Sequence, residues 1–152
     1  MFMPALVHIL NRIRTLLGFF GWLPPLLARI AVGWVFVEAG WGKLHHLDKV
    51  AAFFADLGLP APGFQAHLVA GTEFAGGLLL LAGLLTRIAS VPLSVIMVVA
   101  IATAKREELH GFSDLIGFSE FLYLLLLFWL IVTGPGMIAL DALVARKLKR
   151  LD

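Results

Sequence analysis

Four stretches of this chain are long and apolar enough that the fold they make has to be solvated by something other than water. They run from about Pro24 to Lys43, His67 to Leu85, Ile88 to Ala104 and Phe118 to Thr133. Each approaches the ~20 residues that cross ~30 Å of hydrocarbon. The whole chain of 152 residues is 61% hydrophobic and only 14% charged, with mean hydropathy +0.96. Soluble domains sit nearer half apolar and a quarter charged. A chain this short cannot hide the excess inside itself, so lipid covers it. The expected fold is all-α: an integral membrane bundle of four transmembrane helices, because hydrocarbon demands that backbone polar groups be satisfied within each span.

The segments between and around the spans complete the organisation. In residues 1–21, Leu6, Ile9, Leu10, Ile13, Leu16, Leu17 and Phe20 fall on one helical face, and His8, Asn11, Arg12 and Thr15 on the other. This predicts an amphipathic surface helix lying in the headgroup plane. Residues 22–136 form the transmembrane domain. Pro24 and Pro25 suit the start of the first span. Thr86 and Arg87 alone separate the second apolar stretch from the third, which predicts a tight antiparallel hairpin there. Pro92 falls in about the first turn of the third span, where a missing N–H matters least. Gly134-Pro135-Gly136 ends the fourth, and residues 137–152 read as a basic amphipathic tail. Between the first two spans, Val50, Phe53, Phe54 and Leu57 predict a short amphipathic helix ended by Gly58. Residues 105–117 form the other polar loop.

Several function classes drop out. The net charge of +2 is too small, and the chain too apolar, for nucleic-acid binding. The absence of cysteine removes disulfide exchange, thiolate zinc sites and iron–sulfur clusters. There is no glycine-rich dinucleotide fingerprint, P-loop or nucleophile elbow. No span carries a histidine at mid-depth for haem. No metal site is expected, since adjacent His45 and His46 point about 100° apart on a helix. His67 and His110 with a glutamate are the remaining metal alternative.

Lysine and arginine placement sets the expected orientation. Four spans put both termini on one side, together with Arg12, Arg14, Arg87, Arg146, Lys147, Lys149 and Arg150. The opposite loops mix Lys43, Lys49, Lys105 and Arg106 with five acids. Both termini are therefore expected on the cytoplasmic side.

Ionisable residues inside spans cost roughly 2.5–3.5 kcal/mol at the helix centre, so Arg29, Glu38, Glu73 and Glu120 are the informative ones. Arg29, Gly33, Phe36, Gly40 and Lys43 are spaced 4-3-4-3 and share one stripe of their helix. Glu73, Gly76, Leu80, Gly83 and Arg87 share another. Glycine-dotted stripes allow membrane helices to pack closely. Packed antiparallel, these two bring Lys43 toward Glu73. Glu38 faces elsewhere, on a stripe with Trp34, Trp41 and His45.

Such an arrangement could bind or protonate the head of a lipid-soluble quinone, whose reduction needs proton donors beside an apolar ring pocket. Glu73 and Lys43 are the candidate catalytic pair, and Glu120, Tyr123 and Trp41 the candidate substrate-binding residues. Arg29, Gly33, Gly40, Gly76, Gly83, Arg87, Gly134, Pro135 and Gly136 are the candidate structural positions. The alternative is that Glu73 and Lys43 only lock the bundle, that Glu38 and Glu120 snorkel, and that the tryptophans mark interfaces or packing.

The run Arg29-x3-Gly33-x2-Phe36-x3-Gly40-Trp41-Gly42-Lys43 resembles the first span of the DoxX family. So do Gly58-Leu59-Pro60, Glu73-x2-Gly76-Gly77 with Gly83-x2-Thr86-Arg87, and Gly134-Pro135-Gly136 followed by Leu140-Asp141. Ala139 departs from that pattern, standing where a serine is common, and Glu38 falls at a variable position that the resemblance does not carry over. The resemblance implies a four-helix bacterial inner-membrane protein, of a family named after a small subunit associated with a quinone-linked oxidoreductase. Two functions follow as expectations. One is a membrane subunit of a quinone-linked redox system, an oxidoreductase subunit without its own redox cofactor, fed with electrons by a protein partner. The other is a non-enzymatic membrane scaffold or assembly factor, alone or as a homo-oligomer.

Overall fold

The computed structural model describes residues 18–142, together with Arg12, Arg14, Thr15 and Lys147. The amphipathic helices expected within 1–21 and 137–152 fall largely outside the described residues. All the regular structure among the described residues is helical. Helix α1 spans Leu23–Leu44, α2 Leu47–Asp56, α3 Pro62–Ala82 and α4 Thr86–Thr103. A 3-10 turn at Arg106–Glu108 and a short α5 at Phe112–Gly117 follow, and α6 spans Ser119–Thr133. Three of these, α1, α3 and α4, are long and apolar enough to cross a membrane, and α6 is a shorter apolar helix.

The core is small and aliphatic. Val32 and Phe36 of α1, Leu80 of α3, Leu93 of α4, and Leu127 and Leu130 of α6 are essentially inaccessible. Around it, Leu27, Ile30, Ile88, Val91, Val95, Phe128 and Val132 stand exposed on the outside of the bundle. A water-soluble domain does not present a continuous apolar belt of this kind. It is the inside–outside pattern of helices whose solvent is lipid.

The closest approach is between antiparallel α1 and α3. A Cβ added at Gly40 would collide with the backbone N and Cα of Phe74 and with the carbonyl of Ala70. At the other end of the seam, a Cβ on Gly77 would lie 2.7 Å from the Val37 nitrogen. Only hydrogen fits at these crossings. The α1 stripe therefore packs as its spacing predicts, but its partner glycine on α3 is Gly77. Gly76 instead faces Leu93 of α4, whose side-chain carbons would lie 3.1 Å from an added Cβ. Adjacent residues point about 100° apart, so one of the pair serves each neighbour.

The α3–α4 hairpin turns earlier than expected. Gly83 ends α3 in the left-handed region at φ 67° and Leu85 follows at φ 50°, so Thr86 and Arg87 are the first residues of α4 rather than the turn. The reason lies far along the chain. Asp141 accepts hydrogen bonds from the backbone N–H of Leu85 at 2.8 Å and of Thr86 at 3.2 Å. A carboxylate on these otherwise orphaned donors starts the helix there and suits its dipole. Pro92 consequently sits in the second turn of α4, deeper than a first-turn position. Helix α3 also starts before the apolar stretch does, at Pro62, because proline in the first turn fits the helix and Gln65 can lie beyond the hydrocarbon.

Candidate functional site

Two polar clusters mark the two ends of the bundle. The first gathers the chain after α6 onto the α3–α4 hairpin. Arg29, only 2% exposed, donates from Nη2 to the carbonyl of Ile138 at 2.7 Å and lies within the field of Asp141. The Asp141 N–H donates to the Gly83 carbonyl at 3.0 Å. Arg87 donates to the Val132 carbonyl at 3.2 Å and its guanidinium lies against Gly134. Gly136 rests on Pro25, and Pro135 sits between these two contacts. Ala139, where a serine side chain could have bonded, is buried beside Gly83. Asp141 answers N–H groups that the start of α4 leaves open and Arg87 a carbonyl at the end of α6, while Arg29 holds the segment after α6, so the cluster is a clasp. Asp141→Ala should lower stability by about 1–2 kcal/mol, the worth of a helix cap, with Asp141→Asn intermediate. Thermal unfolding in detergent, followed by circular dichroism, reads this out; an unchanged midpoint for Asp141→Ala would remove the cap from the account.

The second cluster stands at the opposite end and opens on a cavity. Lys43, in the last turn of α1, pairs with Glu73 of α3. The glutamate side chain is 2% exposed and the lysine side chain 30%. Glu73 thus lies behind, out of reach of solvent, while Lys43 faces an open volume of about 650 Å³. This volume is a groove between α3 and α4, roofed by α2. Leu68, Val69, Val91, Val95, Ile96 and Val99 form its apolar walls. Leu68, Val91, Val95 and Val99 are exposed, so the groove opens sideways toward lipid. Phe53, Phe54 and Leu57, the apolar face of α2, close its top. Polar groups are confined to the same end: Lys43, Glu73, Gln65, Thr72, Thr103 and Glu120. An apolar concavity of several hundred cubic ångströms with a few convergent polar groups is the usual form of a small-molecule site.

Of the sequence candidates, this groove gathers Lys43, Glu73 and Glu120. It does not gather the other two. Trp41 stacks on His45 with ring centroids 4.3 Å apart, lies near Phe74, and is exposed on the outer side of α1. Tyr123 packs toward Phe36 in the core, with centroids 6.3 Å apart. The sequence reading missed the groove's walls on α4 and its roof, since helical periodicity does not say which apolar face a second helix will leave uncovered. The histidines serve helix ends: Nδ1 of His45, His46 and His67 donates to the carbonyl four residues earlier at 2.8, 3.0 and 2.8 Å. Among the described residues no cluster of three His, Asp or Glu side chains could hold a metal. Outside the spans, a hydrogen bond to Glu108 holds the Lys105 ammonium above its ordinary range.

Comparison with known proteins places this architecture. The chain is 36% identical to "Putative oxidoreductase CatD" of Bacillus subtilis, over 78% of this chain and 85% of that protein. It is also 36% identical to "Uncharacterized membrane protein Rv3486" of Mycobacterium tuberculosis, over 82% and 84% respectively. Identity to "Inner membrane protein YqjF" of Escherichia coli is 30%, over 80% and 92%. No solved structure matches the chain. The DoxX family pattern matches residues 25–106, from the start of α1 through α4, which is the stretch that builds both the glycine seam and the groove. With relatives matched over most of their length as well, the chain is a membrane protein of the DoxX family.

Proposed function

We propose that this protein is a membrane subunit of a quinone-linked redox system, and that the α3–α4 groove takes the quinone. One observation carries the reading: a Lys43–Glu73 pair, buried on its glutamate side, stands at the polar end of an apolar groove open to lipid. A lipid-soluble quinone has the matching shape, a polar ring on an apolar tail. Its tail lies along Val91, Val95 and Val99, and its ring meets Lys43 and Glu120. Reduction to the hydroquinone consumes two electrons and two protons. A soluble electron-carrying partner protein supplies the electrons. Lys43 donates a hydrogen bond to one ring oxygen, with Glu73 holding its ammonium in place, and the half-buried Glu120 passes protons from water. The name of the Bacillus subtilis relative supports the redox class.

The same reading gives the protein four crossings, with α6 as the fourth. At 15 residues it is about 22 Å long, and it packs along α4. Both termini then lie in the cytoplasm, consistent with the basic residues of both terminal segments. The bacterial inner membrane fits the names of the Escherichia coli relatives.

Native mass spectrometry of the protein released from nanodiscs tests this directly. The expected spectrum carries a bound quinone that is lost from Glu73→Gln, a variant that keeps the side-chain volume and an acceptor oxygen but loses the carboxylate charge that fixes the Lys43 ammonium toward the ring. It is lost as well from Val95→Trp, which fills the groove without touching a charge. A protein partner without quinone in any preparation would overturn the redox reading and favour a scaffold.

A further inference from the structure

The outer face of α1 carries a carboxylate that nothing in the bundle answers. Glu38 is exposed, on the side of α1 away from α3. It lies six residues before the end of α1 and fifteen after its start. These separations are about 9 Å and about 22 Å along the axis, too far for a short glutamate side chain to bring its charge to water at either end. No hydrogen bond or ion pair from the described residues reaches it. Trp34 and Trp41, one turn to either side, are 62% and 55% exposed on the same face. Gly42 beside them has open space around it, so another backbone can come close.

A carboxylate on a lipid-facing helix surface is costly, and such residues characteristically pair with an opposite charge. Among the described residues of the spans, none brings a free cation to this depth. Arg29 is buried and bonded to Ile138, Lys43 is held by Glu73, and Arg87 is bonded near the opposite end. Lys49, Lys105 and Arg106 lie beyond the ends of the spans. A second copy meeting this one symmetrically through the same face would set Glu38 against Glu38, with no cation of the described spans to answer either.

We infer that the Trp34–Glu38–Trp41 face of α1 docks a transmembrane helix of a different protein, one that carries a lysine or arginine at the depth of Glu38. The two tryptophans are the apolar anchors of this contact, as large aromatics commonly are at interfaces. Glu38 pairs with the partner's cation and selects against helices that lack one. This face is separate from the groove, so the contact stands or falls independently of quinone binding.

Site-specific photocrosslinking from position 31, on the same exposed face, in the cell's own membranes tests the inference. The expected product is one other membrane protein, joined within a transmembrane segment that contains a lysine or arginine. Glu38→Lys should lower its yield about tenfold, the scale of one interhelical polar contact. Reversing the partner's charge to glutamate should restore it. Glu38 is exposed and packs on nothing, so the variant folds, which unchanged helicity and thermal midpoint would verify. Crosslinks only to lipid, only to a second copy, or to a protein whose yield ignores both charge changes would each overturn the proposal.

Discussion

Gly40→Ala should cost about 3 kcal/mol or more, and Gly40→Leu should leave little folded protein. The added Cβ meets the backbone of Phe74 and the carbonyl of Ala70, not the tip of a side chain that could turn aside. Overpacking against movable side chains typically costs 1–3 kcal/mol. Here two helix backbones have to separate along their whole seam, and the contacts at Gly33 and Gly77 open with them. Association between helices in lipid depends on this packing, because lipid tails are as apolar as the side chains they would replace. Gly42, two residues away on the same helix, is the control: nothing lies within 4 Å of its added Cβ. Gly42→Ala should stay within about 0.5 kcal/mol of the parent, as surface changes do. Chemical unfolding in mixed micelles, followed by circular dichroism, measures both. A Gly40→Ala midpoint equal to that of Gly42→Ala would mean the two helices are not packed this closely.

How much of this was legible in the sequence depended on the range over which each signal acts. The approach of Lys43 to Glu73 follows from two helical stripes and an antiparallel arrangement, all readable from spacing. The choice of Gly77 over Gly76 is not, because both face inward and only the position of Leu93 decides which neighbour each one meets. Asp141 shows the limit from another side. Helix caps are read from residues next to the helix, whereas this cap reaches α4 from 55 residues further along the chain. Its carboxylate also explains why the hairpin turns at Gly83 and not at Thr86. The pattern Val50, Phe53, Phe54, Leu57 predicts an amphipathic helix, and α2 is one, but periodicity could not say that its apolar face roofs a groove. Tyr123 lies three residues after Glu120, so spacing puts both on one side of α6. The turn between them is enough to move Tyr123 out of the polar end and into contact with Phe36.

The Lys43–Glu73 pair should respond to mutation asymmetrically, and the asymmetry separates its structural from its binding role. Breaking a buried pair by removing one partner costs about 3–5 kcal/mol, because the other charge is left uncompensated. The two partners are not equally buried. Lys43→Met strands Glu73, whose side chain is 2% exposed and too short to carry its charge outward, so this variant should approach the full cost. Glu73→Leu frees Lys43, whose side chain is already 30% exposed and long enough to carry its ammonium outward. That variant should lose about half as much. The double variant Lys43→Met, Glu73→Leu removes both charges and keeps the volume, so most of the stability should return, as it does when apolar residues replace buried ion pairs elsewhere. Unfolding midpoints of the four proteins give the coupling as a double-mutant cycle. Ligand binding should not follow them. If the pair holds a quinone head, the double variant folds like the parent yet binds no quinone, since the groove keeps its walls and loses its polar end. A double variant that is stable and still retains quinone would leave the pair as a lock between α1 and α3 and nothing more.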